Sequence, residues 1–170
     1  MRREKPLLLH AKKDWALDGA KDRKGRRIVS LLMQPGALEA HNYELEKNYE
    51  KIAAAETAFE IYNPQKEYDY LIAAFGTTAR ISKGAINLAK EKGIRIALFR
   101  PVTLWPFPSK ALKEAAEKVK KVFVFEMNMG QMVEDVRLSL EGKPEVVFFG
   151  RPGGGIPASE QLLEFIEKNK

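Results

Sequence analysis

The stretch YDYLIAAFGTTARISKGAINLAKEKGIRIALFRPVTLWPFP, Tyr68 to Pro108, decides the fold. It opens on an apolar run, Tyr68 to Phe75, that is too short for an ordinary helix and is stopped by a glycine, which is how a strand buried on both faces reads. Gly76, Thr77 and Thr78 form a turn. Ile81, Ala85, Leu88 and Ala89 then recur at helical spacing on one face, and Gly93 supplies the left-handed cap that ends the helix. A second apolar run, Ile94 to Phe99, follows at once. Strand, helix and strand in so short a span form a crossover unit, and crossovers join parallel strands. The loop RPVTLWPFP carries three prolines, which keep it irregular.

The same grammar continues toward the C-terminus. Ser109 is placed to cap a helix whose Leu112, Ala115, Ala116 and Val119 face inward, and KVFVFE, Lys121 to Glu126, reads as a third strand. MNMGQ opens a helix with Val133, Val136 and Leu140 on one face, closed by Gly142. EVVFF, Glu145 to Phe149, is a fourth strand, and the glycine-rich loop Gly150 to Pro157 leads to a last helix striped by Leu162, Leu163 and Ile166. Four strands, each followed by a loop and a helix, predict an α/β fold built on an open, doubly wound, mainly parallel sheet with right-handed crossovers.

Upstream the pattern changes. Leu38, Leu45, Tyr49, Ile52 and Phe59 are spaced by threes, fours and sevens, which predicts a long amphipathic helix from Ala37 to about Tyr62, stopped by Asn63 and Pro64. His41 and Asn42 fall near its apolar face, where a lone histidine reads as a contact or surface residue. IVSLLMQ, Ile28 to Gln34, reads as a short extended stretch ended by Pro35 and Gly36. Residues 1 to 27 form a basic, irregular arm whose Leu7 to Leu9 patch and Trp15 fit a partner surface better than solvent. The expected organisation is an arm and connecting helix over residues 1–65 and an α/β domain over residues 66–170.

Composition narrows the function. No apolar run approaches the roughly 18 residues of a membrane span, and the N-terminus lacks a signal-peptide core, so a cytoplasmic protein with no membrane partner is expected. The absence of cysteine rules out disulfides, thiolate catalysis and cysteine-held zinc or iron–sulfur clusters within this sequence. The net charge of +6 is concentrated in the arm, without interleaved aromatics or a recognised binding motif, and nucleic acid is not the expected partner.

Ligands of open α/β sheets lie beyond the carboxyl ends of the strands, which singles out four clusters. Gly76, Thr77 and Thr78 stand at a helix start that suits an anion, or form a tight turn with a threonine cap. Arg100, Thr103, Leu104, Trp105 and Phe107 sit on the proline-rich loop, where an interface is favoured over a pocket because no acid, base or metal set accompanies them. Glu126, with Asn128 and Gln131, is a lone strand-end carboxylate open to a general-base or a structural reading. Arg151, with Gly153, Gly154 and Gly155, is able to grip a carboxylate or phosphate, although the Walker pattern is missing and an interface turn fits better. No catalytic set and no metal-ligand set can be assembled from these residues.

The run IAAFGTTARISKGAINLAKEKGIRIALFRPVTLWPFP, Ile72 to Pro108, resembles the opening of a transketolase C-terminal domain. Relatives of transketolase and pyruvate dehydrogenase carry an acid after the Pro-Phe pair; Pro108 stands here, as in the 2-oxoacid:ferredoxin oxidoreductases. EMNMGQMVEDVRLSLEG and FFGRPGGGIPASEQLLEFI are similar to the same branch's α subunit, and KDWALDGA and HNYELEKNYEKI resemble its branched-chain (2-oxoisovalerate) type. The resemblance implies a C-terminal scaffold and subunit-contact domain with no complete active site of its own. In the full complex it implies oxidative decarboxylation of a 2-oxoacid such as pyruvate to an acyl-coenzyme A, with thiamine diphosphate, Mg, iron–sulfur clusters and coenzyme A. The implied partners are an N-terminal α domain, the β and γ/δ subunits and, indirectly, ferredoxin. The competing reading from the residues alone is an autonomous anion- or nucleotide-binding α/β module built on Gly76 to Thr78 and Arg151.

Overall fold

The computed structural model describes residues 16, 19–26, 30–62 and 65–170. The chain divides into two compact units, Met1–Glu46 and Lys47–Lys170. In the first, the Arg23 and Arg26 guanidinium groups donate to the Ala16 carbonyl, and residues 30–33 form neither helix nor strand. The expected stretch Ile28 to Gln34 lies partly, and the Leu7 to Leu9 patch and Trp15 wholly, outside the described residues.

Helix α1, Ala37–Glu56, runs through the boundary between the units and buries none of its residues. It ends six residues before the expected Tyr62, and Phe59–Tyr62 forms a strand instead, β1. Phe59 lies seven residues after Ile52 and so mimics a helical repeat. Its ring stacks on Phe99 at 5.3 Å, however, and the alternating, β-prone FEIY gains ladder bonds to a neighbouring strand. The Thr57 hydroxyl, which donates to the Ala53 carbonyl at 2.7 Å, marks the last turn of the helix.

The remaining elements are β2 (Tyr70–Ala74), α2 (Gly76–Glu91), β3 (Ile96–Pro101), α3 (Ser109–Ala116), β4 (Lys121–Glu126), α4 (Met132–Leu140), β5 (Glu145–Gly150) and α5 (Ser159–Asn169). The sheet has five strands in the order β1-β3-β2-β4-β5. The four expected strands are parallel, and β1 adds an antiparallel edge. The sheet is therefore mainly parallel and doubly wound, as expected, with one more strand. Pro101 is tolerated opposite Phe59 because the Val102 N–H bonds to the Ala58 carbonyl, which makes Phe59 and Pro101 a non-hydrogen-bonded pair.

Leu71 to Ala74 and Val122 to Phe125 are fully buried, so both sheet faces need covering. Leu71, Ala73, Val122 and Val124 point into a core shared with Leu112 of α3 and Val133, Val136 and Leu140 of α4. Ile72, Ala74, Phe123 and Phe125 point the other way, into a core shared with α2 and α5. Helix α2 buries Ser82 and Ile86 beside Ala85 and Ala89, while Ile81 and Leu88 are only half-buried. The stripe is wider than expected because α2 packs on both the sheet and α5. There the Ser159 hydroxyl donates to the Ile81 carbonyl at 3.0 Å, and Gly84 leaves the room that a side chain would take from Ser159. Ser109 does not cap α3: it is already inside the first turn, with Pro108 in the cap position.

At the amino ends of the strands Arg95 forks onto Asp69 (2.8 and 3.0 Å) and reaches Glu67 (2.9 Å), with Lys120 at 3.5 Å from Asp69. The hydrogen bond from Arg95, followed by the charges of Arg95 and Lys120, holds the Asp69 carboxyl below its ordinary value near 3.8. A carboxyl depressed in the fold stabilises the folded state above its unfolded pKa, and that contribution is lost as pH falls through the folded pKa. Asp69→Asn is therefore expected to flatten the loss of stability below about pH 4 while leaving the tertiary fold intact. Urea midpoints measured from pH 6 down to pH 2.5 check it; parallel curves for variant and wild type would contradict it.

Candidate functional site

From β2 the chain passes through α2 to β3 on one side, and from β4 it passes through α4 to β5 on the other. The loops after β2 and β4 thus diverge, and a crevice opens between them at the switch point. It is a shallow cleft of about 290 Å³ lined by Phe75, Gly76, Thr77, Thr78, Met127 and Asn128.

On the β2 side, Phe75 occupies the cap position of α2 in extended conformation and offers no side-chain cap. Gly76 has φ +55, a left-handed geometry that a side chain would strain. The Thr78 hydroxyl is buried and donates back to the Phe75 carbonyl at 2.7 Å, so it closes the turn, while Thr77 is exposed.

On the β4 side, Glu126 is the last residue of the strand and is 1% exposed. Its carboxylate accepts from the backbone N–H groups of Met132 and Val133, each at 3.0 Å, from Gln131 N–H at 3.3 Å, and from the Asn128 amide at 3.0 Å. The carboxylate thereby caps α4, where free N–H groups and the helix dipole favour a negative charge. Asn128 spends its other end on the Gly130 N–H at 2.7 Å, an Asx turn that folds the loop back. Neither Glu126 oxygen is left without a donor, so the geometry favours the structural reading over a general base.

The loop after β5 lies beside this pair. The Arg151 N–H donates to the Glu126 carbonyl at 3.0 Å, and a Cβ on Gly150 would fall 2.6 Å from the Asn128 carbonyl oxygen. The Arg151 guanidinium bonds to Gln161 Oε1 at 2.8 Å, and the same oxygen accepts from the Ala158 N–H at 3.0 Å. Gly153 and Gly154 have φ of +73 and +77, and a Cβ on Gly155 would come within 2.9 Å of Arg151 Nε.

The structure therefore brings Gly76, Thr77, Thr78, Glu126 and Asn128 to the switch point, with Gln131 and Arg151 bonded to Glu126. Arg100 and Trp105 sit elsewhere, on the β1–β3 edge: Arg100 pairs with Glu60 at 2.8 Å, and the exposed Trp105 ring meets Tyr49 edge-on at 5.5 Å. Sequence reasoning missed Gln161, and it placed Gly150 in the glycine-rich loop without foreseeing its close approach to the Asn128 carbonyl. Gln161 stands three residues after the cap position, where a glutamine reaches back to the cap N–H, and that spacing was a readable signal.

Glu126→Ala leaves the Met132 and Val133 N–H groups without their acceptor, and each buried polar group so stranded costs about 1–3 kcal/mol. A denaturation midpoint lowered accordingly, partly restored in Glu126→Gln, is the expected result. An unchanged midpoint in Glu126→Ala would show that the cap is not needed.

Residues 68–162 match the family model described as pyruvate:ferredoxin oxidoreductase core domain II. Ketoisovalerate oxidoreductase subunit VorB of Methanothermobacter marburgensis is 30% identical over 154 residues, 91% of this chain and 43% of that one. 2-Oxoglutarate synthase subunit KorA of Methanothermobacter thermautotrophicus is 35% identical over 97 residues, 57% of this chain and 26% of that one. The chain thus spans less than half the length of these relatives. In architecture it resembles the 2-oxoglutarate:ferredoxin oxidoreductase of Magnetococcus marinus, with a TM-score of 0.69 and 20% identity over 81% of this chain and 24% of that one. It also resembles a split-gene transketolase described as an inactive β4 tetramer, with a TM-score of 0.54 and 19% identity over 64% of this chain and 40% of that one. With more than half of its residues inside the family model and a 30%-identical relative along nearly its whole length, this chain belongs to the core domain II family of the pyruvate:ferredoxin oxidoreductases.

Proposed function

We propose that this chain is the C-terminal scaffold and subunit-contact domain of the α subunit of a thiamine-diphosphate-dependent 2-oxoacid:ferredoxin oxidoreductase of the branched-chain type, acting in the cytoplasm. The similarity to VorB along 91% of the chain supports the branched-chain assignment. The observation that carries the contact role is at the carboxyl ends of the strands. There Met129 is 78% and Ile156 63% exposed, on loops fixed from behind by Glu126, Asn128 and Gln161. Apolar tips on rigid loops are what an interface core uses, because little ordering entropy is lost on docking.

At the switch point the residues present do not fit a magnesium ion. A magnesium ion needs free carboxylate or carbonyl oxygens, and the switch-point carboxylate, Glu126, is occupied by N–H donors. Among the described residues no three His, Asp or Glu side chains cluster for a metal, and no helix is long and apolar enough to cross a membrane. In this reading thiamine diphosphate, Mg, the iron–sulfur clusters and coenzyme A are held by the rest of the α subunit and by the β and γ/δ subunits. Arg100, Trp105, Arg151 and the glycines 153–155 shape contact surfaces.

The test is a pull-down against the β subunit and the N-terminal α domain, followed by 2-oxoacid-dependent dye reduction. Binding with restored turnover is expected, and Met129→Asp or Ile156→Asp should weaken binding by at least ~10-fold. No binding, together with a phosphate- or coenzyme-A-dependent rise in melting temperature that Arg151→Ala abolishes, would instead establish an autonomous anion-binding module.

A further inference from the structure

The loops at the carboxyl ends of β2, β4 and β5 are almost free of charge. Residues 76–79, 127–131 and 150–158 contain one ionisable side chain, Arg151. Glu126, which ends β4, is buried and gives its oxygens to backbone N–H groups and to the Asn128 amide. Among the described residues no carboxylate pairs with the Arg151 guanidinium, whereas Arg95 and Arg100 are both ion-paired.

Arg151 is nonetheless held still. Its Nη1 donates to Gln161 Oε1 at 2.8 Å, and its main-chain N–H donates to the Glu126 carbonyl at 3.0 Å. A Cβ on Gly155 would meet its Nε at 2.9 Å and its Cγ at 3.1 Å, so the stem lies along the loop's own backbone. A guanidinium carries its N–H donors in one plane, and Nη2 and the second N–H of Nη1 have no acceptor among the described residues. That open end suits a planar group with two acceptor oxygens. The loop after β4 packs against the same segment. A Cβ on Gly150 would fall 2.6 Å from the Asn128 carbonyl oxygen, and one on Gly130 would fall 3.3 Å from Phe148 Cζ. Met129 stands between Asn128 and Gly130, and Ile156 follows Gly155.

We infer that Arg151 is the charged anchor of this face, and that the partner subunit seated on it presents a single Asp or Glu carboxylate, bound by Nη1 and Nη2. The inference rests on the contact role proposed for the strand-end loops and names the chemistry of the surface that meets them. A lone cation covered by a neutral surface loses its hydration without return, and a carboxylate replaces what is lost. With the stem already ordered, docking costs little side-chain entropy. A small free anion is the poorer occupant. The switch-point cleft is lined without Arg151, and the start of α5 carries Glu160 and gives its Ala158 N–H to Gln161.

The test is the affinity of the full chain for the β subunit and N-terminal α domain, measured from about 50 to about 500 mM salt. Arg151→Gln is expected to raise the Kd by at least ~30-fold and to flatten its salt dependence, with the melting temperature unchanged. Arg151→Lys keeps the charge and loses the fork, and should cost no more than ~10-fold. In that variant a carbodiimide is expected to couple the new amine to an Asp or Glu of the partner, which mass spectrometry then identifies. If Arg151→Gln fails to fold, this coupling carries the reading. Binding that Met129→Asp weakens and Arg151→Gln leaves unchanged overturns the anchor and keeps the contact role. So does a bound Arg151→Lys chain that couples to no partner carboxylate from position 151. No binding by the wild-type chain, whether or not phosphate stabilises it through Arg151, ends both readings.

Discussion

Most of this domain depends on the pairing of β2 with β4, two parallel strands whose side chains are buried on both faces. Parallel neighbours cannot be joined by a tight turn, so each needs a crossover helix, and a sheet buried on both faces needs helices on both. Winding α2 and α5 over one face and α3 and α4 over the other satisfies both requirements. It also forces the loops after β2 and β4 apart. The switch-point cleft is thus a consequence of how the core is covered, present whether or not a ligand uses it.

What stands at that cleft is organised by Glu126. A buried carboxylate at a strand end is costly unless donors surround it, and the open amides of α4 provide them. Strand, loop and helix are locked by one side chain, and the neighbouring loop is pinned through the Arg151 N–H and the close approach of Gly150 to Asn128. The polar atoms that look catalytic in the sequence are consumed in holding loops still. Rigid loops tipped by Met129 and Ile156 form a surface suited to recognition by another folded body.

The two ends and the two edges of the sheet differ in character. The amino ends carry the ion-paired cluster of Asp69, Arg95 and Glu67, whereas the carboxyl ends carry glycine-rich loops with apolar tips. The β1 edge is short, antiparallel and bordered by apolar side chains. Arg100 and Trp105 belong to that edge, which separates them from the switch-point residues with which their strand-end position had grouped them.

The sequence by itself determined the parallel core, because short apolar runs stopped by glycine and alternating with helical repeats admit few other arrangements. It determined Gly93 and Gly142 as helix ends, since only the local backbone conformation was at stake. It also supported the family, through motifs along nearly the whole chain. The tertiary structure alone decided that Phe59–Tyr62 is a strand, because a seven-residue spacing fits a helix as well and only the Phe99 ring and the β3 ladder settle it. It alone decided the role of Glu126, because the donors that claim its oxygens are backbone N–H groups, which carry no sequence signature and converge only when α4 starts where β4 stops.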